Sequence, residues 1–447
     1  MNFFKRKKKV HISEVVNKAL TYFVGNSPVI FYDFNQEDYV QKGYAANAEV
    51  YSIIKKITDK CNVAEPFIYI DKEGVKSKNT RTTKNNKGNP LGFAKHKLFT
   101  KAALNFADND NELSKLIQTP NDTETWRELV TLLRIFYFVQ GEAFLYRESG
   151  DDKCALSIHI APPHMMSPYM EDSKLVGWQL NLGNGKYRKF IGDDFNDVFH
   201  LKMPNPVFVS GQNIRGMSPL LAGLKYLKLS DESLHGWLKS VINEGAKGII
   251  SPNHSTPDMW LTPEQVEKVT ATIEQKLHGH ENKNKIAVSG MPVTYNPIGM
   301  SPDALNIINA LQQSQHKLCD LWNVPSVLFD PNPTYQNQQA AAKRFVSDTI
   351  VPYLNIEEDK LNKWLVQPFI DRDNKRYVLD YDLSEMEELR LSIDQTDALM
   401  KTHTINEVRV MLGSDELDEE YANQVFLTQG MIPLSDFDIG MNNNFAN

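Results

Sequence analysis

Two runs of helical periodicity, set about fifty residues apart by a different pattern, constrain this chain more than any other feature. The first is "GMSPLLAGLKYLKLSDESLHGWLKSVINEG". Ser218 can cap a helix there, and Pro219 suits the first helical position, which has no intrahelical use for an N–H. Leu220, Leu224, Leu227, Leu234, Leu238 and Val241 recur on one face, enough for a helix of ~39 Å at 1.5 Å per residue. The second run, "SPDALNIINALQQSQHKLCDLWN", opens on Ser301 and Pro302 and places Leu305, Ile308, Leu311, Leu318 and Trp322 on one stripe. Its other face carries Asn306, Asn309, Gln313 and His316, polar with almost no charge. Between them "KGIIS" reads as a strand and "LTPEQVEKVTATIEQKLHG" as a helix with Thr262 and Gln265 as a capping box and Gly279 as its stop. "KIAVSGMPVTYNPI" supplies one or two more strands. A β-α-β insert of this size is small for an independent domain, so the two long helices must carry it.

The flanking regions are mixed. "AANAEVYSIIKKITDKCNV" spaces Val50, Ile53, Ile54, Ile57 and Cys61 on one helical face, and "TWRELVTLLRIFYFVQG" does the same with Leu129, Leu132, Leu133 and Phe136. "EAFLYRES", "LSIHIAP", "LVGWQLNLGNGKYRKFIG" and "DVFHLKM" read as short strands, with Gly183, Asn184 and Gly185 at a hairpin turn. Lys5 to Lys9 and "KSKNTRTTKNNKGNPLGFAKHK" are basic and polar, and both read as flexible or looped. After the second long helix, "WNVPSVLFDPNPTYQNQQ" interrupts with three prolines and a polar loop. "QNQQAAAKRFVSDTIVPYLNIEEDKLNKWLVQ" then resumes as helix, with a kink expected at Pro352. "RYVLDYD" follows as a strand, and "TINEVRVMLG" as a helix capped by Thr404 with Glu407 three residues on. The fold class is α+β.

Chemistry is scarce. "GQNIRGMS" has the glycine spacing of a phosphate-binding loop, but Met217 stands where the lysine belongs and Pro219 follows, so a loop leading into a helix is the preferred reading. Asp193, Asp194 and Asp197 in "GDDFND" lack the spaced ligands of a calcium loop. His278 and His280 sit at a helix end with no further ligand nearby in sequence. Cys61, Cys154 and Cys319 are widely separated, suggesting neither disulfide framework nor thiolate zinc site. No catalytic residue, metal or cofactor is expected. No stretch reaches the ~20 apolar residues of a membrane span, so no membrane partner is expected either. The net charge of −7 argues against a globally basic nucleic-acid coat. Charge is nevertheless blockwise: Asp380 to Asn447 holds fifteen acidic residues against three basic ones. The start "MNFFKRKKKVHISEVV" is basic without a signal-peptide apolar run, and an intracellular protein, or part of an assembly built there, is the expectation.

The order of these segments resembles the tailed-bacteriophage portal, or head-tail connector, protein family. The residues that carry the likeness are "GMSPLLAGLKYLKLSDESLHGWLKSVINEGAKGII", then "WNVPSVLFDPNPTYQNQQAAAKRFVSDTIVPYLNIEEDKLNKWLV", then "TINEVRVMLGSDELDEE", within a match spanning roughly 45 to 435. One departure is Asn323, where a glycine before the Val-Pro is common. The resemblance implies a portal-type fold: a basic amino-terminal segment (1–45), an α/β wing (46–215), a first stem helix (216–245), a small β-α-β clip (246–300), and a second stem helix (301–325). A channel loop (326–338), a long kinked wing helix with a returning strand (339–380), a mostly helical crown (381–436) and a disordered tail (437–447) would complete it.

In function, the resemblance implies a non-enzymatic ring, usually of twelve subunits, at one capsid vertex of the virion, assembled in the host cytoplasm. It would conduct double-stranded DNA during packaging and ejection. Its partners would be other copies of itself, the terminase large subunit, the major capsid protein and a scaffold, and a head-completion or tail adaptor protein. Asp330, Asn332, Thr334, Tyr335, Gln336, Asn337 and Gln338 would face DNA in the channel loop, and Asn306, Asn309, Gln313 and His316 would line the stem. Glu264, Glu267, Lys268, Glu274 and Lys276 would offer the clip docking surface. A loop poor in lysine and arginine suits a channel, because each cation engaging phosphate displaces counterions and adds affinity. Two other readings stay open: a packaging motor or nuclease subunit, which requires a Walker lysine or an acidic metal cluster, and another head or tail structural adaptor, which would usually be much smaller.

Overall fold

The helix expected from the spacing of Val50 to Cys61 forms over Ala48–Cys61 (α1), where the Asn47 side chain accepts from the Val50 N–H. Val50, Ile53, Ile54, Ile57 and Cys61 are all fully buried, as their spacing requires. The computed structural model describes residues 22–24, 27–29, 36–72, 86–108, 110–171, 174–206, 214–242, 248–252, 262–264, 267, 293–297, 307–427 and 432–433. The readings made for Lys5 to Lys9, for 73–85 and for the tail from 437 lie outside these residues. The chain divides into two units, one of residues 1–221 with 319–447, the other of residues 222–318.

In the larger unit, strand Glu65–Asp71 (β1) follows α1. Helix Pro90–Ala103 (α2) comes next, where a looped basic stretch was expected. Asn89 caps it through the Gly92 N–H at 2.7 Å, Pro90 fills the first turn, and Phe93, Ala94 and His96 are buried. Composition misled because Lys87 is not solvated: it is 1% exposed and paired with Asp380, with Glu358 at 3.4 Å. His96 Nε2 sits 2.7 Å from the other Asp380 oxygen. Burial alone would raise the Asp380 carboxyl, but Lys87 and His96 outweigh it and hold it well below the usual carboxylate range.

Strand Leu104–Phe106 (β2), helix Glu112–Gln118 (α3) and helix Trp126–Gln140 (α4) complete this part. In α4 the buried stripe is Trp126, Leu129, Val130, Leu133, Arg134, Tyr137 and Phe138. It is rotated from the expected one: Leu132 is 38% exposed and Phe136 only half-buried. The rotation brings Arg134 inward. Its guanidinium holds both Glu357 oxygens, at 3.1 and 2.8 Å, and donates to Asn62 Oδ1 at 2.6 Å, while the Tyr381 hydroxyl donates to Glu357.

Strands Glu142–Ser149 (β3), Ala155–Ala161 (β4), Met166–Glu171 (β5), Lys174–Gly183 (β6), Lys186–Ile191 (β7) and Val198–Lys202 (β8) follow. They make two antiparallel sheets, ordered β8–β3–β4 and β5–β6–β7, with the expected hairpin turn at Gly183 to Gly185. Phe144, Ala161, Met166, Trp178, Leu180, Phe190 and Val198 form the apolar core that the two sheets share.

From Tyr335 to Asp373 the chain is helical throughout. Three α-helical lengths, Tyr335–Phe345, Val351–Leu361 and Gln367–Asp373, are joined by π turns at Val346–Ile350 and Asn362–Val366. Each π turn lies just before a proline, Pro352 and Pro368, where the missing N–H would otherwise break the ladder. A side chain meets the carbonyl four residues before each proline: Asn323 Nδ2 donates to the Asp348 carbonyl at 3.4 Å, and Arg147 Nη1 to that of Trp364 at 2.6 Å. Strand Tyr377–Asp382 returns beside β1, giving a third antiparallel sheet with β1 between it and β2. Two short helices, Ile393–Met400 and Ile405–Leu412, each open on a capping box, the second being the expected Thr404 and Glu407. Leu399, Val408 and Met411 pack on Ala94 of α2.

The smaller unit is entered along helix Pro219–Ile242, which begins where Ser218 and Pro219 predict, and left along helix Ile307–Leu321. Within it Leu227 and Ser230 are buried, Leu238 is largely exposed, and Ser314 Oγ donates to the Tyr226 carbonyl at 2.5 Å. Strands Gly248–Pro252 and Val293–Pro297 pair antiparallel, Gly248 opposite Pro297.

Candidate functional site

The larger unit gives up the chain after Leu221 and takes it back at Cys319, and the last turn of α4 is where both ends are held. The terminal carbonyls of a helix have no intrahelical donor. Here the Val139 carbonyl accepts from Ser218 Oγ at 2.6 Å, and the Phe138 carbonyl from Trp322 Nε1 at 2.9 Å. Helix α4 stops at Gly141 in the left-handed region (φ 78°). A Cβ on Gly141 would lie 2.2 Å from the Met217 carbonyl oxygen, and one on Gly216 2.1 Å from that of Gly141, so the two backbones approach as only glycines allow.

Beside them Glu142 is fully buried and fully engaged. It accepts from Arg215 Nε at 2.5 Å, from the Gly216 N–H at 2.9 Å and from His200 Nε2 at 3.0 Å. Arg215 also donates to the Met166 and Pro163 carbonyls, at 2.6 and 2.8 Å. Burial would raise the Glu142 carboxyl, but Arg215, His200 and the Gly216 amide outweigh it and keep it below its ordinary value. Burial lowers the His200 imidazole, against the opposing pull of Glu142. The phosphate-loop look-alike therefore spends its Gly216 N–H and Arg215 on a carboxylate of its own chain.

Past Trp322 the chain turns through Asn323, whose φ of 53° is left-handed. This accounts for the departure noted above: asparagine tolerates the conformation for which glycine is the default. Thr349 Oγ1 fixes the turn by donating to the Asn323 carbonyl at 2.7 Å. A single 3-10 turn, Ser326–Phe329, follows, with Lys56 Nζ 5.1 Å from the centre of the Phe329 ring. Asp330, Asn332 and Thr334 are then exposed, as are all of residues 335–340, and Tyr335 is 77% exposed.

The loop is shorter than expected. Tyr335, Gln336, Asn337 and Gln338 form the first turn of the long helix, because Thr334 takes the cap position and accepts from the Asn337 N–H at 3.4 Å. Between Trp322 and Ala342 the only ionisable side chains are Asp330 and Tyr335; Lys343 is the next cation.

Asn309, Gln313 and His316 are exposed on the face of their helix opposite Ser314, Leu318 and Cys319, which are buried. Asn309 has an interaction with a neighbour. Asn306 lies outside the described residues, as do Lys268, Glu274 and Lys276, while Glu264 and Glu267 are exposed in a helical stretch. Glu142, Arg215 and His200 were not singled out by the sequence. The usable signal was Arg215 inside "NIRGMSP", a cation in a glycine-flanked loop with no phosphate lysine beside it.

Among the described residues no group of three or more His, Cys, Asp or Glu side chains could hold a metal ion. Burial raises all three thiols, Cys61 and Cys319 to about 12 and Cys154 to about 11, far from a nucleophile's range. The site thus pairs a largely buried ionic junction with an exposed segment that carries Asp330 and no cation. The family model described as "Phage portal protein" matches residues 96–413, and the chain belongs to that family. Portal proteins are structural components of the bacteriophage virion and not enzymes.

The chain is similar in fold to structures from the neck of a gene transfer agent (GTA) particle. One is of the empty particle, computed with C6 symmetry (TM-score 0.59, 19% identity, 85% of this chain and 94% of that one). Another is of the native particle with C12 symmetry (TM-score 0.58, 19% identity, the same coverage). Among curated proteins it is 22% identical to an uncharacterized protein of Rickettsia bellii (strain RML369-C), over 69% of this chain and 80% of that one.

Proposed function

We propose that this chain forms a ring of twelve copies at one vertex of a capsid and serves as the conduit for double-stranded DNA during packaging and ejection. In this reading residues 216–245 and 301–325 form the stem helices, 246–300 the clip that docks the terminase large subunit and later a head-completion or tail adaptor protein, and 326–338 the channel loop, while 46–215, 339–380 and 381–436 form wing and crown, in contact with major capsid protein and scaffold. Glu264, Glu267, Lys268, Glu274 and Lys276 belong to the clip docking face, and Asn306, Asn309, Gln313 and His316 to the bore.

The observation that carries the reading is the exposed stretch from Asp330 to Ala340, which has hydrogen-bonding side chains and no cation. A surface that must let a polyanion slide gains from that composition, since each lysine or arginine on a phosphate adds salt-dependent affinity. The likeness to neck structures of C12 and C6 symmetry supports a twelve-fold ring, because six-fold averaging is compatible with twelve-fold symmetry.

Native mass spectrometry with negative-stain microscopy tests it. Rings with an axial hole and a mass of about 612 kDa, twelve times 51.0 kDa, are the expected result. A globular monomer that remains so inside procapsids would end the proposal.

A further inference from the structure

Beside α4 two cavities, of about 460 and 550 Å³, share Asn62 and Arg127 and adjoin as one groove. The more enclosed part is lined by Ile68, Phe106, Ile117, Trp126 and Val130, and its size is that of clefts that receive apolar groups. The open part carries Glu124 and Glu128. Arg134 is spent on Glu357, and Arg127 faces Glu65 at 3.7 Å. Glu124 and Glu128 accept from the neutral Asn121 and Thr125, so these two carboxylates leave the groove net acidic. Another part of the larger unit has the complementary character. In the β6–β7 hairpin seven consecutive residues, Asn181 to Tyr187, are exposed, among them Leu182 (59%) and Tyr187 (53%). Lys186 has no ion pair among the described residues, and Lys189, also exposed, lies over the Tyr169 ring at 4.8 Å. Apolar side chains thus stand at a projecting tip beside cations.

Strand β3 shows that one chain keeps these two surfaces apart. Successive residues of a strand face opposite sides of its sheet. Phe144 packs with Trp178, Leu180 and Phe190 of β6 and β7, whereas Arg147 reaches the Trp364 carbonyl of the long helix, whose Glu357 is held by Arg134 of α4. The hairpin and the groove therefore lie on opposite sides of the β3 sheet. A closed ring uses such a pair, because head-to-tail contacts join two different surfaces of each copy. We propose that the β6–β7 hairpin of one copy docks in the α4 groove of the next. This rests on the ring reading above and names one contact that closes it. Leu182 and Tyr187 enter the apolar part of the groove, and Lys186 meets Glu124 and Glu128 at its mouth. Every groove and every hairpin of the ring is then used.

Paired cysteines test it in the full chain, whose own three cysteines are buried. Asn181→Cys at the hairpin and Gln118→Cys in the groove lining both replace exposed residues. Placed in one chain, they should give on mild oxidation a ladder of covalently linked copies, up to the closed ring. Mixing the two single variants should give linked pairs and nothing longer. Lys186→Glu should slow linking about tenfold, and Glu124→Lys added to it should restore the rate. Rings that assemble without a ladder would overturn this contact and leave the ring reading standing. A chain that never assembles, even in procapsids, would remove both. Unchanged linking after Leu182→Asp with Tyr187→Asp would also overturn the proposal, because nothing apolar would then be entering the groove.

Discussion

The junction at Glu142 and the stretch from Asp330 to Ala340 lie on either side of the chain's excursion into the smaller unit, and they are built by opposite rules. At the junction every polar group is buried or mostly so, and committed: one carboxylate takes three donors, and two helix carbonyls take the side chains of Ser218 and Trp322. The stretch after Phe329 has almost no such ties, the Thr334 cap apart, and holds its polar side chains in solvent. The contrast separates what the single chain needs in order to be itself from what it holds out to something else. Changes at the junction should cost stability, and changes in the stretch should cost function with little effect on stability.

The largest effect is expected at Glu142. Glu142→Leu leaves Arg215 and the Gly216 amide without their acceptor, and breaking a buried pair in this way typically costs about 3–5 kcal/mol. Denaturant melts measure it, and a loss below about 1 kcal/mol would dissolve the contrast. Arg134→Met alone should cost a similar ~3–5 kcal/mol, because Glu357 stays buried without its partner. The double variant Arg134→Met, Glu357→Leu should recover most of that loss, since a well-packed apolar pair often replaces a buried ion pair at little cost. Failure to recover would show that the Asn62 and Tyr381 contacts matter more than the charge pair.

Trp322→Phe keeps most of the packing but drops the bond to the Phe138 carbonyl, and about 1–2 kcal/mol should go with it.

A smaller effect is a slope. Burial lowers the folded-state value of His200, so its contribution is complete above the unfolded value of about 6.5 and is lost as pH falls through the folded one. The protein should therefore lose stability on acidification below about pH 6.5, and His200→Gln should flatten that part of the profile in a series of thermal melts. The smallest change in stability, within about 0.5 kcal/mol, is expected for Asn332→Lys with Gln336→Lys. Under the proposed conduit role those two lysines should nonetheless slow DNA passage in a packaging assay, more at low salt than at high.

What could be read from sequence was what depends on near neighbours. The α1 stripe, the Gly183 hairpin, the helix start at Ser218 and Pro219, and the Thr404 box all rest on residues within a few positions of one another. The ion pairs are different in kind. Arg134 and Glu357 are 223 residues apart, and Lys87 and Asp380 are 293 apart. No local pattern distinguishes a lysine that will be buried from one that will not, which is why "NNKGNPLGF" read as a loop. The rotation of α4 has the same origin, because an arginine counted as polar becomes part of the inner face once its carboxylate is supplied. In the candidate site, the exposed polar loop was legible from its prolines, but the helical state of Tyr335 to Gln338 depended on the Thr334 cap. The Glu142 hub was not legible, since it unites an imidazole from one distant segment with a guanidinium and an amide from another.

The two prolines of the long helix have a meaning that a propensity scale hides. A helix interior normally satisfies its own backbone and offers nothing to the rest of the molecule except side chains. Pro352 and Pro368 each remove one internal claim on that backbone, and Asn323 and Arg147 address the helix at the carbonyls four residues before them. Residues that should weaken a helix by about 3 kcal/mol thus give this one two fixed addresses along its length. One is read by the turn where the chain re-enters the larger unit, the other by strand β3.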